Sequence, residues 1–532
     1  MDRLVNMENR HIISLVFNAH LPYVCGVPDA GEGERWFFEA LSETYLPLLA
    51  VFDRLEGGYI PFRLGLSVSP SFCNMLRDER LQQKFLDYTD KQIEFGLLEL
   101  ERTEGHKEQQ NLAKMYYDRA VDQRIAFTER YEGNILKVFD HYQRKGKLEL
   151  LATGATHPFL PFLAPYPEAI QAQIEVSIAF YRRHFGKNPQ GFWLPELGWT
   201  PELETWLRAY NFGYTVVEPH GLVFGKPPAS QGTFFPVKTP GGIFILARNY
   251  YAGEMVSLMA GEEVYRDNGR DAGYELGVRQ LGPFLGSGGI RTATGFKYWN
   301  SASDQGEQPV YDPQKAAEKA VEHARLFLEN QSARLSEAAK YMEGPPISLC
   351  AFEADEFGRF WYEGPRFIEA LFRLSAGYRE IQFMTPAEYL FKQDSSTFQT
   401  VLPELSSRGS NGYAEMWLDS SNDWMYRHLI RSLDRMIELA ERFPDDTGLK
   451  ERALNQAARE ILLAAASDWP KMLYTGDSVE YARLQIEEAL RNFTTIYEAL
   501  GSNYISTEWL TKLEKRHNIF PHINYRVFRR KR

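Results

Sequence analysis

The chain has 532 residues and a net charge of −11, from 60 basic and 71 acidic side chains. An acidic balance disfavours a broad phosphate-binding face, so we expect no nucleic-acid partner. Hydrophobic residues at 44% and charged residues at 25% are typical of a globular protein, and three cysteines are too few for a disulfide framework. The apolar run at 12–17 is too short for a signal peptide or a membrane span. These features predict a cytoplasmic protein without a membrane partner; they do not indicate an oligomeric state.

Short apolar runs rich in β-branched residues recur along the chain as far as residue 384. They lie at 12–17, 62–68, 148–152, 191–194, 213–217, 243–247, 347–352 and 381–384. Helical patterns lie between most of these runs. Strands that alternate with helices indicate a parallel sheet, and this number of units favours a closed α/β barrel.

Two regions depart from this alternation. Residues 78–145 are long charged helical sequence, which predicts a helical insertion at about 76–146. After residue 400 the strand pattern ends, and apolar residues recur on one helical face at 429, 433, 436 and 440 and again at 489, 493, 496 and 500. We therefore predict a catalytic barrel domain at 1–398 and a C-terminal all-helical domain at 399–532.

Polar residues follow several of the apolar runs, at the strand ends where catalytic groups of barrels lie. They are His20, His157, Glu196, Glu353 and Asp355. Cleavage of a glycosidic bond with retention requires two carboxyl groups about 5–5.5 Å apart, and Glu196 with one acid of the 353–356 cluster could form that pair. The alternatives are ion-pair or helix-capping acids and histidines that are satisfied within the core.

Aromatic residues next to these acids favour a sugar ligand, because a pyranose packs its C–H groups against a ring. They are Trp193 and Trp199 beside Glu196, and Phe357, Phe360, Trp361 and Tyr362 beside the second cluster. A zinc site formed by His20, His157 and a carboxylate is conceivable, but no metal-binding spacing such as H-E-x-x-H supports it.

These motifs resemble glycoside hydrolase family 57, in particular its branch of α-1,4-glucan branching enzymes and α-amylases, over nearly the whole chain. The similar segments are HLPYV at 20–24, ATHPFLP at 155–161, WLPELGW at 193–199 and FGRFWYEG at 357–364. In the helical region they are EMWL at 415–418, NDWMYRH at 422–428 and SDW at 467–469.

The resemblance implies an incomplete (β/α)7 barrel with a helical insertion and a C-terminal helical domain. It implies transfer of an α-1,4-glucan segment through a glycosyl-enzyme intermediate, with Glu196 as nucleophile and Glu353 at the acid/base position. No metal ion or organic cofactor is implied. The substrate-binding residues implied are His20, Trp36, His157, Trp361, Trp417, Trp424, Asp468 and Trp469.

The chain also departs from the family pattern at several positions. Glu353 lies where the family has an aspartate, and Asp355 where it has a glutamate. Asn18 and Arg359 lie where histidines are usual, Phe360 replaces a tryptophan, and the loop at 252–271 looks shorter than in branching enzymes. A glutamate is one methylene longer than an aspartate, and misplacement of a catalytic group by about 1 Å can lower a rate about a hundredfold.

Three functions are compatible with this pattern. The first is an active retaining enzyme on α-1,4-glucans or maltooligosaccharides, of the branching-enzyme or amylase type. The second is a catalytically impaired glucan-binding or regulatory protein that keeps the same fold and cleft. The third is a different, metal-dependent chemistry such as deacetylation, which the absence of a histidine at Asn18 disfavours.

Overall fold

The structure is a computed structural model that describes residues 11–25, 31–302 and 309–531. Nine strands form the β-structure of these residues. They are β1 (His11–Ala19), β2 (Leu64–Val68), β3 (Leu148–Leu151), β4 (Gly191–Phe192), β5 (Tyr214–Val217), β6 (Val237–Lys238), β7 (Phe244–Ala247), β8 (Ile347–Glu353) and β9 (Ile381–Phe383). All eight predicted apolar runs form strands, with ends that differ by one or two residues. Only β6 was not predicted, because a two-residue strand leaves no periodic pattern.

The strands form two sheets whose parallel strands point in one direction. The first has the order β3-β2-β1-β8 and β9 also pairs with β1, whereas the second has the order β4-β5-β7-β6 with β6 antiparallel. Isolated parallel bridges join Ala152 to Phe192 and Arg248 to Leu349, so β3 adjoins β4 and β7 adjoins β8. The carboxyl ends of both sheets therefore meet at one end of the molecule.

Alternate residues of β1 contribute to two different hydrophobic clusters, as the two-residue period of a strand requires. Ile13, Leu15 and Phe17 pack in the large cluster that includes the surrounding helices. Ile12 and Val16 belong to a second cluster that also contains residues of β3, β5, β7 and β8. This second cluster lies between the two sheets, so both faces of β1 are buried.

Helices lie between and after the strands. Up to residue 398 they are Gly31–Ala40, Leu46–Gly57, Pro70–Arg77, Glu79–Arg102, Lys107–Ile125, Ile135–Arg144, Pro167–Phe185, Leu203–Ala209, Pro219–Val223, Tyr250–Ala260, Ala272–Glu275, Val278–Leu281, Pro313–Ala339, Gly364–Ser375 and Pro386–Lys392. Thereafter they are Asp423–Arg442, Leu449–Ala464, Asp468–Thr475, Val479–Gly501 and Thr507–Arg516. None of the helices in the described ranges is both long enough and apolar enough to cross a membrane.

Two segments after residue 398 contact the loops at the carboxyl ends of the strands. Ser406 forms an antiparallel bridge with Trp199, and Ala466 forms one with Pro158. The main-chain N–H of Ser467 also donates to the carbonyl of His157 at 3.0 Å. These contacts bring late residues of the chain next to the acids that follow β4 and β8.

Candidate active site

Glu196 lies in a single helical turn, Pro195–Leu197, shortly after β4. Its φ of +57° is in the left-handed region, which a non-glycine residue adopts only when its surroundings hold it there. The carboxylate Oε1 accepts a hydrogen bond of 3.0 Å from the hydroxyl of Ser467, and the carbonyl accepts one from the main-chain N–H of Arg408. Glu196 is buried, with 7% of its surface exposed to solvent.

Glu353 is the last residue of β8, and its register partner on β1 is Asn18. Partners on adjacent parallel strands point their side chains to the same face of the sheet, so the two side chains meet. The amide Nδ2 of Asn18 donates to Glu353 Oε2 at 2.8 Å, and Nη1 of Arg408 donates to Glu353 Oε1. Both carboxylate oxygens therefore have a protein partner.

His157 connects the surroundings of the two acids. Its Nδ1 lies 3.1 Å from the hydroxyl of Ser467 and 3.9 Å from Glu196 Oε1, and its Nε2 lies 3.2 Å from Nδ2 of Asn18. Because Nδ2 of Asn18 is a donor, Nε2 of His157 accepts and the ring proton is assigned to Nδ1. Hydrogen bonds then run from His157 through Ser467 to Glu196, and from Asn18 to Glu353.

His20 stacks on His157 with 4.0 Å between the ring centres and 11° between the planes. Its Nε2 lies 3.0 Å from Oδ2 of Asp468, and its Nδ1 lies 2.8 Å from the hydroxyl of Ser69. Burial opposes protonation of His20, but the carboxylates of Asp468, Glu196 and Glu353 together outweigh it and raise the pKa. Burial and the neighbouring charge of His20 hold the pKa of His157 well below 6.5. Within the stacked pair, His20 therefore binds a proton more readily than His157 does.

Two further acids follow Glu353 in a short helical turn, Ala354–Glu356. Burial raises the pKa of Asp355 to about 6, against the opposing charge of Arg359, whose Nη1 lies 3.3 Å from its Oδ2. Burial raises the pKa of Glu356 to about 7. Asp355 thus pairs with Arg359, whereas Glu353 pairs with Arg408. Burial brings the pKa values of both Asp355 and Glu356 close to neutral pH.

The tryptophans named from the sequence occupy two kinds of environment. Trp361, Trp417 and Trp469 are buried; Trp417 stacks on Phe159 at 4.8 Å, and Nε1 of Trp469 donates to a main-chain carbonyl. Trp36 and Trp424 are only partly buried. The buried rings belong to the walls that fix the strand-end loops in place.

Arg408 and Ser467 are the principal site residues that the sequence does not predict individually. Ser467 lies in the SDW segment at 467–469, next to Asp468, which the family resemblance does predict. Arg408 lies in a serine- and glycine-rich stretch with no periodicity, where one basic residue among small ones is the only signal. Within the described ranges, no group of three or more His, Cys, Asp or Glu side chains is arranged to hold a metal ion.

Two protein-family models together match most of the chain. The model of glycosyl hydrolase family 57 matches residues 14–398, and that of the 1,4-alpha-glucan branching enzyme C-terminal region matches residues 428–528. A 1,4-alpha-glucan branching enzyme of Thermococcus kodakarensis is 28% identical over 96% of this chain and 77% of its own length.

Solved structures agree with these matches. The alpha-amylase AmyC of Thermotoga maritima is 34% identical with a TM-score of 0.91, covering 98% of this chain and 100% of its own. The family 57 branching enzyme of Pyrococcus horikoshii is 26% identical with a TM-score of 0.87, covering 98% and 97%. The resemblance noted in the sequence is confirmed: the chain belongs to glycosyl hydrolase family 57.

Proposed function

We propose that this protein is a retaining enzyme that acts on α-1,4-glucans and maltooligosaccharides through a glycosyl-enzyme intermediate, in the manner of a 1,4-α-glucan branching enzyme. The observation that carries the proposal is that Glu196 and Glu353 lie at the carboxyl ends of strands of the two sheets and are joined through Ser467, His157 and Asn18. The named activities of the relatives, branching enzyme and α-amylase, support the same substrate class.

The proposed reaction uses the two acids in turn. Protonated Glu353 gives its proton to the glycosidic oxygen as the C1–O bond breaks, and a carboxylate oxygen of Glu196 forms a bond to C1. The resulting carboxylate of Glu353 then takes a proton from an acceptor hydroxyl, whose oxygen attacks C1 and releases Glu196. A glucan 6-hydroxyl as acceptor gives a branch, and water gives hydrolysis.

The architecture proposed for this reaction is an incomplete (β/α)7 barrel within residues 1–398, with the helical insertion at about 76–146, and an all-helical domain at 399–532. The parallel bridges at Ala152 and Arg248 support the barrel, because they connect the two sheets on both sides. The branching-enzyme C-terminal match at 428–528 supports the second domain.

We assign the remaining residues to substrate binding. His20 and His157 are placed beside the acids to hydrogen-bond sugar hydroxyls, with Asp468 holding the charge of His20. Trp36 and Trp424 have exposed ring surface suited to stacking on a pyranose, whereas Trp361, Trp417 and Trp469 form the cleft wall. No step in this scheme uses a metal ion or an organic cofactor.

The test is a Glu196→Gln variant assayed on amylose beside the wild type. We expect glucan cleavage and transfer to fall by at least about 10⁴-fold, because the amide cannot form the glycosyl-enzyme bond, while the melting temperature changes little. Iodine staining, reducing ends and new α-1,6 linkages are measured together. Constant reducing ends with new α-1,6 linkages indicate branching; full activity in the variant contradicts the nucleophile assignment.

One observation favours a second candidate, a glucan-binding protein with impaired chemistry. A general acid must direct a protonated oxygen at the leaving group, yet Arg408 and Asn18 each occupy one oxygen of Glu353. Calorimetric titration with maltoheptaose distinguishes the candidates when combined with a long incubation on amylose. Binding without any change in iodine staining supports the second candidate and contradicts the first.

A further inference from the structure

Arg408 contacts both acids of the site through different atoms. Its main-chain N–H donates to the carbonyl of Glu196 at 2.9 Å, and Nη1 of its guanidinium donates to Glu353 Oε1. The guanidinium carbon also lies 5.9 Å from the centre of the Trp193 ring. A single residue between two candidate catalytic acids is therefore placed to couple their positions.

The segment around Arg408 restricts where its side chain can go. Ser406 is bridged to Trp199, and the main-chain N–H of Ser407 donates to the carbonyl of Gly412. Gly409 has a φ of +113°, a conformation that favours glycine and turns the chain directly after Arg408. Nε of Arg408 is buried and has no hydrogen-bond acceptor in the described parts of the chain, so the contact with Glu353 is the polar anchor of the guanidinium.

Several charged or titratable groups act on Glu353, but only one of the charged groups touches its carboxylate. The groups that feel its charge lie on different elements: His20, Tyr45, Asp355, Glu356, Arg408 and Lys471. Of these, Arg408 makes a charge-assisted hydrogen bond to Glu353. This bond orients the carboxylate and places a positive charge against it. The other partner of the carboxylate, Asn18, is neutral, so its hydrogen bond orients the Glu353 side chain without adding a charge.

We infer that Arg408 is a positioning residue for the acid/base step, orienting the carboxyl group of Glu353. The inference rests on the proposed function and adds a residue to it. Arg408 does not touch the reacting bond in this scheme: it acts through Glu353. Its removal loosens the direction in which Glu353 donates its proton.

The experiment compares kcat/KM of the wild type, Arg408→Gln and Arg408→Lys across pH, on maltoheptaose and on α-maltosyl fluoride. Fluoride leaves without a proton, so kcat/KM for the fluoride reports the first step without the help of Glu353. For Arg408→Gln on maltoheptaose we expect a loss of about 30- to 100-fold at the pH of highest activity, because a misdirected carboxyl group donates its proton poorly. On the fluoride the expected loss is below about threefold.

Arg408→Lys keeps the charge without the planar fork, so it should restore part of the rate on maltoheptaose. The matched control is Arg63→Gln, which breaks an arginine–glutamate pair with Glu388 at the opposite ends of the strands. It should leave both profiles unchanged. Melting temperatures of all variants identify any loss that comes from unfolding.

The outcomes separate the two proposals. Equal losses on both substrates overturn the role of Arg408 while the enzyme itself remains active. A wild type that converts neither substrate overturns the proposed function, and the role of Arg408 with it. A loss confined to maltoheptaose, which Arg408→Lys partly reverses, is the result that a merely structural arginine does not produce.

Discussion

Two arginine–glutamate pairs lie in different surroundings in this molecule. Arg266 and Glu43 are joined by two hydrogen bonds of 3.0 and 2.9 Å, and their side chains are 0% and 7% exposed. Arg408 and Glu353 share a single hydrogen bond at the strand ends, with side chains 17% and 29% exposed. The first pair is enclosed and bidentate, whereas the second is open and joined at one point.

The difference indicates what each pair is for. An enclosed pair cannot exchange partners, and the guanidinium of Arg266 is further held 3.9 Å over the ring of Tyr362. Burial would raise the pKa of Glu43, but the charges of Arg266, Lys297 and Arg119 together outweigh burial and lower it to about 2. That acid stays ionised and serves the fold. In the proposed reaction Glu353 transfers a proton and contacts the substrate, which an open single contact permits.

The largest effect we expect is on catalysis at the open pair. Glu353→Gln removes the proton donor but keeps the shape of the side chain, so kcat/KM on maltoheptaose should fall by about 10²- to 10⁴-fold. The free energy of unfolding should change by less than about 1 kcal/mol, because partly exposed ion pairs contribute little to stability. Kinetics and urea unfolding on one preparation test both parts; a large loss of stability would assign this pair to the fold instead.

Breaking the enclosed pair should instead lower the stability of the fold. Arg266→Met leaves the carboxylate of Glu43 buried and largely uncompensated, so we expect a loss of about 3–5 kcal/mol in the free energy of unfolding. Arg119, whose Nη1 is 3.4 Å from Glu43, compensates only partly.

The control for that variant replaces both partners. Glu43→Met combined with Arg266→Met removes the uncompensated charge and should recover much of the loss, as apolar replacement of buried pairs often does. Urea unfolding of the three proteins measures this. A double variant as unstable as the single one would mean that the site depends on packing around Arg266 rather than on its charge.

The sequence predicts the strands and the two acids because those signals are local. β1 and β8 are continuous apolar runs, and Glu196 and Glu353 follow such runs within a few residues. The alternation of strands and helices then implies that their carboxyl ends meet at one end. The positions of both acids at the strand ends required no knowledge of side-chain contacts.

The partners of those acids were harder to predict because they come from distant parts of the chain. Arg408 is 55 residues from Glu353 in sequence, and Ser467 is 271 residues from Glu196. Neither lies on a strand or in an amphipathic pattern that would direct it to the site. The burial of Trp361 and Trp417 was equally hidden, since a tryptophan beside an acid has the same sequence pattern whether its ring faces a ligand or the core.

The enclosed pair also predicts a pH dependence of stability. The pKa of Glu43 falls from an ordinary 4.5 to about 2 on folding, so its contribution is complete above about pH 4.5 and is lost as the pH falls towards 2. Over that window the stability advantage of the wild type over Glu43→Gln should shrink by on the order of 3 kcal/mol. Urea unfolding at several pH values tests this, and the other carboxylates cancel in the difference. Parallel pH profiles for the two proteins would contradict it.

The smallest expected effect is on the pKa values of the stacked histidines His20 and His157 in the open site. NMR titration of labelled histidine side chains should find His20 with a pKa above 6.5 and His157 neutral well below that value. Asp468→Asn should lower the pKa of His20, because burial is then opposed only by the charges of Glu196 and Glu353. It should also ease protonation of His157, since a neutral His20 no longer repels a second charge. If His20 keeps a raised pKa in that variant, its charge depends on Glu196 and Glu353, the more distant acids that also act on it. The pKa of His20 would then depend on the charges of Glu196 and Glu353 rather than on Asp468.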